Sequence, residues 1–317
     1  MYTGDIKCLV LSGGGLRGGP LLSSALWQLS NVANIDFISP KRRLNEVRGT
    51  SMGAYMATLV ACRADLFGIV EECQNLKIET YTEWSINSLL LSHGLNNGDE
   101  LLHYIESRIE KNTGLNKPSF KQLYTWSNVD LKITACDIEQ ADEAVFNHIN
   151  TPDVEVAQAV VASMSIPFFF SPRKLKYKNC TTTLLDGALV NNFPISGAGG
   201  DCNPETTLGL HICEGNDPLI PEIPSKRKTD VVSFSYWEIL VKAITKLLDN
   251  NAAQQEKRKD ILTIKLPSSR RSTMTTWKLS TGERELLMKS AVDAVDKFLE
   301  LNMLSSQPST NSISTQT

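Results

Sequence analysis

The sequence predicts an α/β fold, a three-layer α/β/α sandwich around a mostly parallel central sheet. Two short apolar runs carry that prediction, Ile6–Ser12 and the run that leads into Val47-Arg48-Gly49. Each ends in a glycine-bounded turn and passes directly into a helical stretch, the order in which parallel strands are connected. The first run is mostly apolar rather than alternating, as expected of a strand buried on both faces. Hydrophobic residues make up 41% and charged residues 21% of the 317 residues, enough for one large core or two small ones and too apolar for global disorder.

After the first run comes Gly13-Gly14-Gly15-Leu16-Arg17-Gly18-Gly19, and then a helix expected from Pro20, a favourable first-turn residue, to Val32. The second turn is Gly49-Thr50-Ser51-Met52-Gly53, with a helix to about Ala64. Leu66–Leu76 is helix-like. Tyr81–Leu91 is apolar with polar interruptions and ends in a turn at 93–98. Asp99 is placed as the N-cap of a helix whose apolar face is Leu101, Leu102, Ile105 and Ile109. The segment from 65 to 130 is either scaffold covering the sheet or a lid over an acyl groove. Val129–Asp137 and Ala144–Phe146 are strand-like, and Val154–Met164 is a helix of small apolar residues.

Phe168-Phe169-Phe170 between Pro167 and Pro172 forms a rigid apolar wall, either pocket lining or core. Arg173, Lys174, Lys176 and Lys178 alternate with Leu175 and Tyr177, which suits an edge strand with a basic face. Thr183–Leu185 leads into Asp186-Gly187. The segment from 215 to 233 is a proline- and charge-rich connector, and Tyr236–Leu248 is an amphipathic helix. Ile261–Leu266 is a strand. Ser280–Leu301 is a helix opened by a capping box of Ser280 with Glu283, or in poorer register Thr281 with Arg284. Residues 305–317 are a polar tail expected to be disordered, leaving one domain over 1–304.

The chemistry centres on Gly49-x-Ser51-x-Gly53. In a strand–turn–helix setting this is a nucleophile elbow, in which the serine stands clear of the backbone and neighbouring side chains would collide. The first glycine loop permits two uses. Gly13, Gly15 and Gly18 satisfy the G-x-G-x-x-G pattern, and Asp36 follows at about the spacing of a ribose-binding acid, so a dinucleotide-dependent oxidoreductase is one reading. The other is an oxyanion hole built from consecutive backbone N–H groups. A dinucleotide fold has no use for an exposed serine at the second turn, so the elbow favours the oxyanion hole.

Gly-Gly-Gly-x-Arg-Gly at Gly13–Gly18, followed by Gly-x-Ser-x-Gly at Gly49–Gly53, resembles the signature pair of patatin-like phospholipases. The resemblance extends to Ala162, Ser163, Pro167 and Phe170, and to Asp186-Gly187-Ala188 with Asn191, Asn192 and Pro194 after it. It implies a lipid acyl hydrolase with Ser51 as nucleophile and Asp186 as base, and an oxyanion hole from Gly13, Gly14, Gly15 and Arg17. Gly18, Gly49, Gly53 and Gly187 are the supporting glycines. Arg17 either organises the glycine loop or faces a lipid phosphate. The expected substrate is the fatty-acyl ester of a glycerophospholipid, with a lysophospholipid or neutral lipid as the alternative. A catalytically silent lipid-binding protein would have lost Ser51 or Asp186, and neither is lost.

A three-membered triad would need a histidine after the aspartate. Only His211 qualifies, and it lies in the apolar run Leu208–Ile212, as a core histidine does. No calcium-type loop of clustered acids stands out, so no metal or other cofactor is expected. A net charge of −3 gives no support to nucleic-acid binding. Seven scattered cysteines without a Cys-x-x-Cys pair predict reduced thiols rather than a disulfide framework or zinc site. With no signal-peptide pattern and no long apolar span, the expected location is cytoplasmic, with peripheral contact at membranes.

Overall fold

A computed structural model describes residues 6–75, 93–177, 180–214, 261–268 and 279–305. The expected apolar segment 81–91, the connector 215–233, the helix 236–248 and the tail from 306 onward lie outside the described residues. In chain order the elements are β1 (Cys8–Leu11), α1 (Gly15–Val32), β2 (Glu46–Thr50), α2 (Met52–Ala61), α3 (Leu66–Asn75), β3 (Gly94–Asn96), α4 (Asp99–Thr113), α5 (Phe120–Ser127), β4 (Asp130–Asp137), β5 (Asp142–Phe146), α6 (Val156–Ser163), β6 (Phe168–Phe170), β7 (Arg173–Tyr177), β8 (Cys180–Asp186), β9 (Thr207–Glu214), β10 (Leu262–Ser268) and α7 (Thr281–Ser305).

The central sheet has the order β10-β9-β1-β2-β4-β8-β7, with β5 paired to β4. The pairs from β10 through β4 are all parallel, while β8, β7 and β5 run antiparallel to their partners. This is the mixed α/β architecture with a mostly parallel sheet that the sequence predicts. The basic strand β7 closes one edge, as expected.

The register along β4 positions the site. Thr134 pairs with Thr50 of β2 on one side and Val145 of β5 on the other. Ala135, the next residue, pairs with Ala144 of β5 and with Asp186 of β8. β2 and β8 therefore share one edge of β4 and meet end to end, β2 arriving at Thr50 and β8 at Asp186. The two strand ends are brought together by consecutive rungs of a third strand.

Leu9 and Leu11 of β1 face the main core, which includes Leu22, Leu26, Met56 and Leu59 of α1 and α2. Leu287, Ala291 and Val295 of α7 are buried in the same core. Cys8 and Val10 face the other way, into a smaller core with Phe193, Ile195, Cys202 and Ile261. The alternation is that of a strand covered on both faces. Phe169 and Phe170 belong to the main core, so the phenylalanine run is largely core.

Several element boundaries differ from expectation. α1 starts at Gly15, not Pro20, with Gly14 extended at φ −166° and Gly18 N–H already bonded to the Gly14 carbonyl at 3.0 Å. A Cβ at Gly18 would lie 2.9 Å from Met52 Cγ, so this first turn is helical where it packs on the elbow. Asp99 is the first residue of α4 and not its cap. Gly98, in the left-handed region, holds the cap position, because Asn96 and Asn97 side chains accept from the Gly98 and Asp99 N–H groups. The expected turn at 93–98 contains β3, which pairs with β6. The Ser280–Glu283 capping box is formed in the better register, and a second one, Ser119 with Gln122, opens α5.

Candidate active site

Ser51 joins β2 to α2 with φ 53° and ψ −123°, a backbone conformation that residues with a Cβ rarely adopt. The flanking glycines show what permits it. A Cβ on Gly49 would lie 2.2 Å from the Gly53 carbonyl oxygen, and one on Gly53 would lie 2.3 Å from that of Leu11. The turn crosses over itself and against β1 too closely for any side chain.

The Ser51 hydroxyl donates to Asp186 Oδ2 at 2.8 Å. Asp186 is 1% exposed. Its other oxygen, Oδ1, accepts from the Ala188 N–H at 2.9 Å, and its own N–H donates to the Ser165 carbonyl at 2.9 Å. Burial pushes its carboxyl up to about 7, against the opposing bonds from Ala188 N–H and Ser51. A carboxylate in that range is a far better match for a base at neutral pH than one near 4. Gly187 follows directly, with its Cα side against the Thr134 carbonyl.

Ser163 is the residue that sequence reasoning did not assign a role. At the end of α6, its hydroxyl accepts the Ser51 N–H at 2.8 Å and donates to the Thr134 carbonyl at 2.6 Å. It ties the elbow to β4 and is fully buried. Being 112 residues from Ser51, it carries no local signal beyond its place in the Ala162-Ser163 stretch quoted above. Asn191 and Asn192 act similarly: the Asn191 carbonyl accepts from the Thr50 hydroxyl at 2.8 Å, and the Asn192 carbonyl accepts from Gly13 N–H at 3.0 Å.

The glycine loop lies against the serine. A Cβ on Gly13 would stand 3.2 Å from Ser51 Cβ and 2.3 Å from Asn192 Oδ1. Gly13 N–H is committed to Asn192, whereas the N–H groups of Gly14, Gly15 and Met52 have no acceptor among the described residues. Arg17 lies in the first turn of α1, not in the loop, and is buried. Asp36 is not placed as a ribose-binding acid. It lies before β2 rather than at its end, and its carboxylate closes a local turn by accepting from Ile38 and Ser39 N–H. His211 sits in β9 with its ring stacked on Phe193 at 4.7 Å, as a core residue.

Beside the elbow, Leu16, Met52 and Met164 line an apolar pocket. Cys73 of α3 and Leu101, Tyr104 and Ile105 of α4 are in its wall, so the 65–130 segment contributes to this pocket. Tyr55 and Tyr104 line it too, and both hydroxyls bond to Glu72, which pairs with Arg108. No helix among the described residues is long and apolar enough to cross a membrane.

Residues 9–198 match the family described as patatin-like phospholipase. The probable lipid hydrolase 463L of Invertebrate iridescent virus 6 is 27% identical over 192 residues, covering 60% of this chain and 62% of that protein. Uncharacterized protein YqhO of Bacillus subtilis is 29% identical over 205 residues, covering 59% and 64%. The chain thus spans a little under two thirds of these curated relatives. VipD from Legionella pneumophila shares the fold with a TM-score of 0.59 at 14% identity, covering 94% of this chain and 67% of VipD. The type III effector ExoU gives 0.50 at 15% identity, covering 95% and 54%.

Proposed function

Because the chain belongs to the patatin-like phospholipase family, we propose that it is a serine-dependent lipid acyl hydrolase that releases fatty acid from glycerophospholipids. The observation that carries this reading is the 2.8 Å bond from Ser51 Oγ to the buried carboxylate of Asp186, next to a pocket whose apolar lining suits an acyl chain.

In the mechanism, Ser51 Oγ attacks the ester carbonyl while its proton passes to Asp186 Oδ2. The carbonyl oxygen becomes an oxyanion facing the N–H groups of Gly14, Gly15 and Met52, each contributing about 3 kcal/mol. Gly13 acts indirectly, as its N–H holds Asn192, and Arg17 organises the helix start from within. Collapse of the intermediate breaks the bond to the glycerol oxygen, which takes the proton from Asp186 and leaves as the lysolipid. Asp186 then removes a proton from water, water attacks the acyl-Ser51 carbonyl, and the fatty acid departs as Ser51 is reprotonated. Peripheral contact with an anionic membrane surface would use the exposed Lys174 and Lys176 on β7.

The test is fatty-acid release from mixed phospholipid vesicles, with chelator present, by wild type, Ser51→Ala and Asp186→Asn. Release by wild type and its loss by at least ~10³-fold in both variants is expected. Undiminished release by Asp186→Asn would overturn the role of Asp186.

A further inference from the structure

A second cluster of reactive side chains lies on the smaller core. Cys8 in β1 and Cys202 in the segment between β8 and β9 are both buried, and their sulfur atoms are 3.8 Å apart. The Cys8 thiol also reaches Glu46 Oε1 at 3.5 Å. Glu46 is held by two cations, Arg48 at Oε1 and Lys132 at Oε2. The same cations donate to the loop carrying Cys202, Arg48 to the Gly200 carbonyl at 2.5 Å and Lys132 to the Gly199 carbonyl at 3.1 Å.

The donor atoms of Cys8, Glu46 and Cys202 all lie within 4.8 Å of one another, close enough for a metal ion. The charges argue otherwise. Glu46 is already neutralised, and a dication would sit beside two fixed cations. Those cations instead favour a thiolate. The hydrogen bond from Cys8 holds the Cys202 thiol below its ordinary range, with Arg48 and Lys132 adding to the effect. The reciprocal bond and burial push the Cys8 thiol up. An acidified sulfur in contact with a protonated one is the arrangement of an attacking and a resolving cysteine.

We propose that Cys8 and Cys202 form a site of reversible oxidative modification, in which a hydroperoxide joins them as a disulfide that fastens the segment after Asp186 to β1. The Cys202 thiolate attacks hydrogen peroxide, the O–O bond breaks, and Cys202 sulfenic acid and hydroxide result. Cys8 sulfur then attacks the sulfenic sulfur, which releases its hydroxyl as water with the Cys8 proton. The two sulfurs together lose two electrons to the peroxide. Closing 3.8 Å to the ~2.05 Å of a disulfide needs a small approach of the two sulfurs. The fastened segment carries Asn191 and Asn192, which hold Thr50 and Gly13. Cys180, which is exposed, and Cys213, which is half-buried, are the competing thiols.

The experiment uses the full chain with Cys180→Ser, treated with a few equivalents of hydrogen peroxide or with dithiothreitol, then alkylated, digested without reduction and examined by mass spectrometry. A Cys8–Cys202 linked peptide is expected after peroxide and not after dithiothreitol, together with a Tm several degrees higher in the oxidised form. Cys8→Ser should leave Cys202 as a sulfenic acid that dimedone traps. Both residues remaining alkylatable after peroxide would overturn the proposal. So would stoichiometric zinc bound to wild type that blocks the cross-link. The linked-peptide readout needs neither Cys8 nor Cys202 variant to fold.

Discussion

Ser51 occupies a strained backbone geometry, and its few neighbours determine what it can do. Asp186 is the sharpest case. Its carboxyl is raised to about 7 by burial, so the fraction able to act as base grows as pH rises, and kcat/KM on a soluble ester should fall about tenfold per pH unit below that value. The linkage to stability has the opposite sense. A carboxyl with a native pKa above its unfolded value of ~3.9 stabilises the fold fully below pH 4, and that contribution is lost as pH rises to 7. Asp186→Asn should therefore raise Tm relative to wild type more at pH 8 than at pH 4, which a calorimetric pH series would check. An equal effect at both pH values would contradict it. Ser163→Ala removes a partner from both Ser51 N–H and the Thr134 carbonyl. A loss of about 1–3 kcal/mol in urea unfolding is expected, with lowered kcat at nearly unchanged KM. At this scale Ser51 was legible from its Gly49-x-Ser51-x-Gly53 turn, and Asp186-Gly187 only beside that motif and the family resemblance. Ser163 was not, because its partners are on β2 and β4, far away in sequence.

At the scale of elements, the decisive feature is the shared edge of β4, where Thr50 and Asp186 fall on consecutive rungs. Strand periodicity marks each strand but says nothing of which edges they share, so the meeting of Ser51 with Asp186 could be inferred only through resemblance. The start of α1 departs from the sequence expectation for a related reason. Local propensity disfavours glycine in a helix, while packing of Gly18 on Met52 demands it. The helices also shape the pocket. Gly19 of α1 lines it, and a Cβ there would contact Cys73 Sγ at 3.4 Å and Met52 Sδ and Met56 Cε at 3.9 Å. Gly19→Leu should fill the groove while keeping α1 helical. Hydrolysis of long-chain p-nitrophenyl esters should drop at least tenfold relative to the acetate ester; a proportional loss on both would show that the pocket does not hold the acyl chain.

Across the whole molecule, the two cores meet through β1, and α7 packs on α1, α3 and β10. We propose that residues 1–304 fold as one unit. Removal of α7 would expose Leu287's partners and the Ala291 and Val295 contact face, all buried now, and costs of more than a few kcal/mol follow from that area. The intact chain should unfold in urea in one transition seen alike by fluorescence and circular dichroism, and a chain ending at 278 should not fold. Two separated transitions would argue for an independent C-terminal unit. The composition bounds held at this scale: the apolar content suffices for the cores described. The proximity of Cys8 and Cys202, 194 residues apart, was beyond sequence spacing to reveal.

Activation of Ser51 by Asp186 is read most directly from the rate at which a fluorophosphonate labels the protein covalently, with the adduct located by mass spectrometry. A single adduct on Ser51 is expected, formed faster as pH rises through about 7 and slowed by at least ~10²-fold in Asp186→Asn. Labelling of Ser51 at an unchanged rate in that variant, or no labelling of Ser51 in wild type, would contradict it.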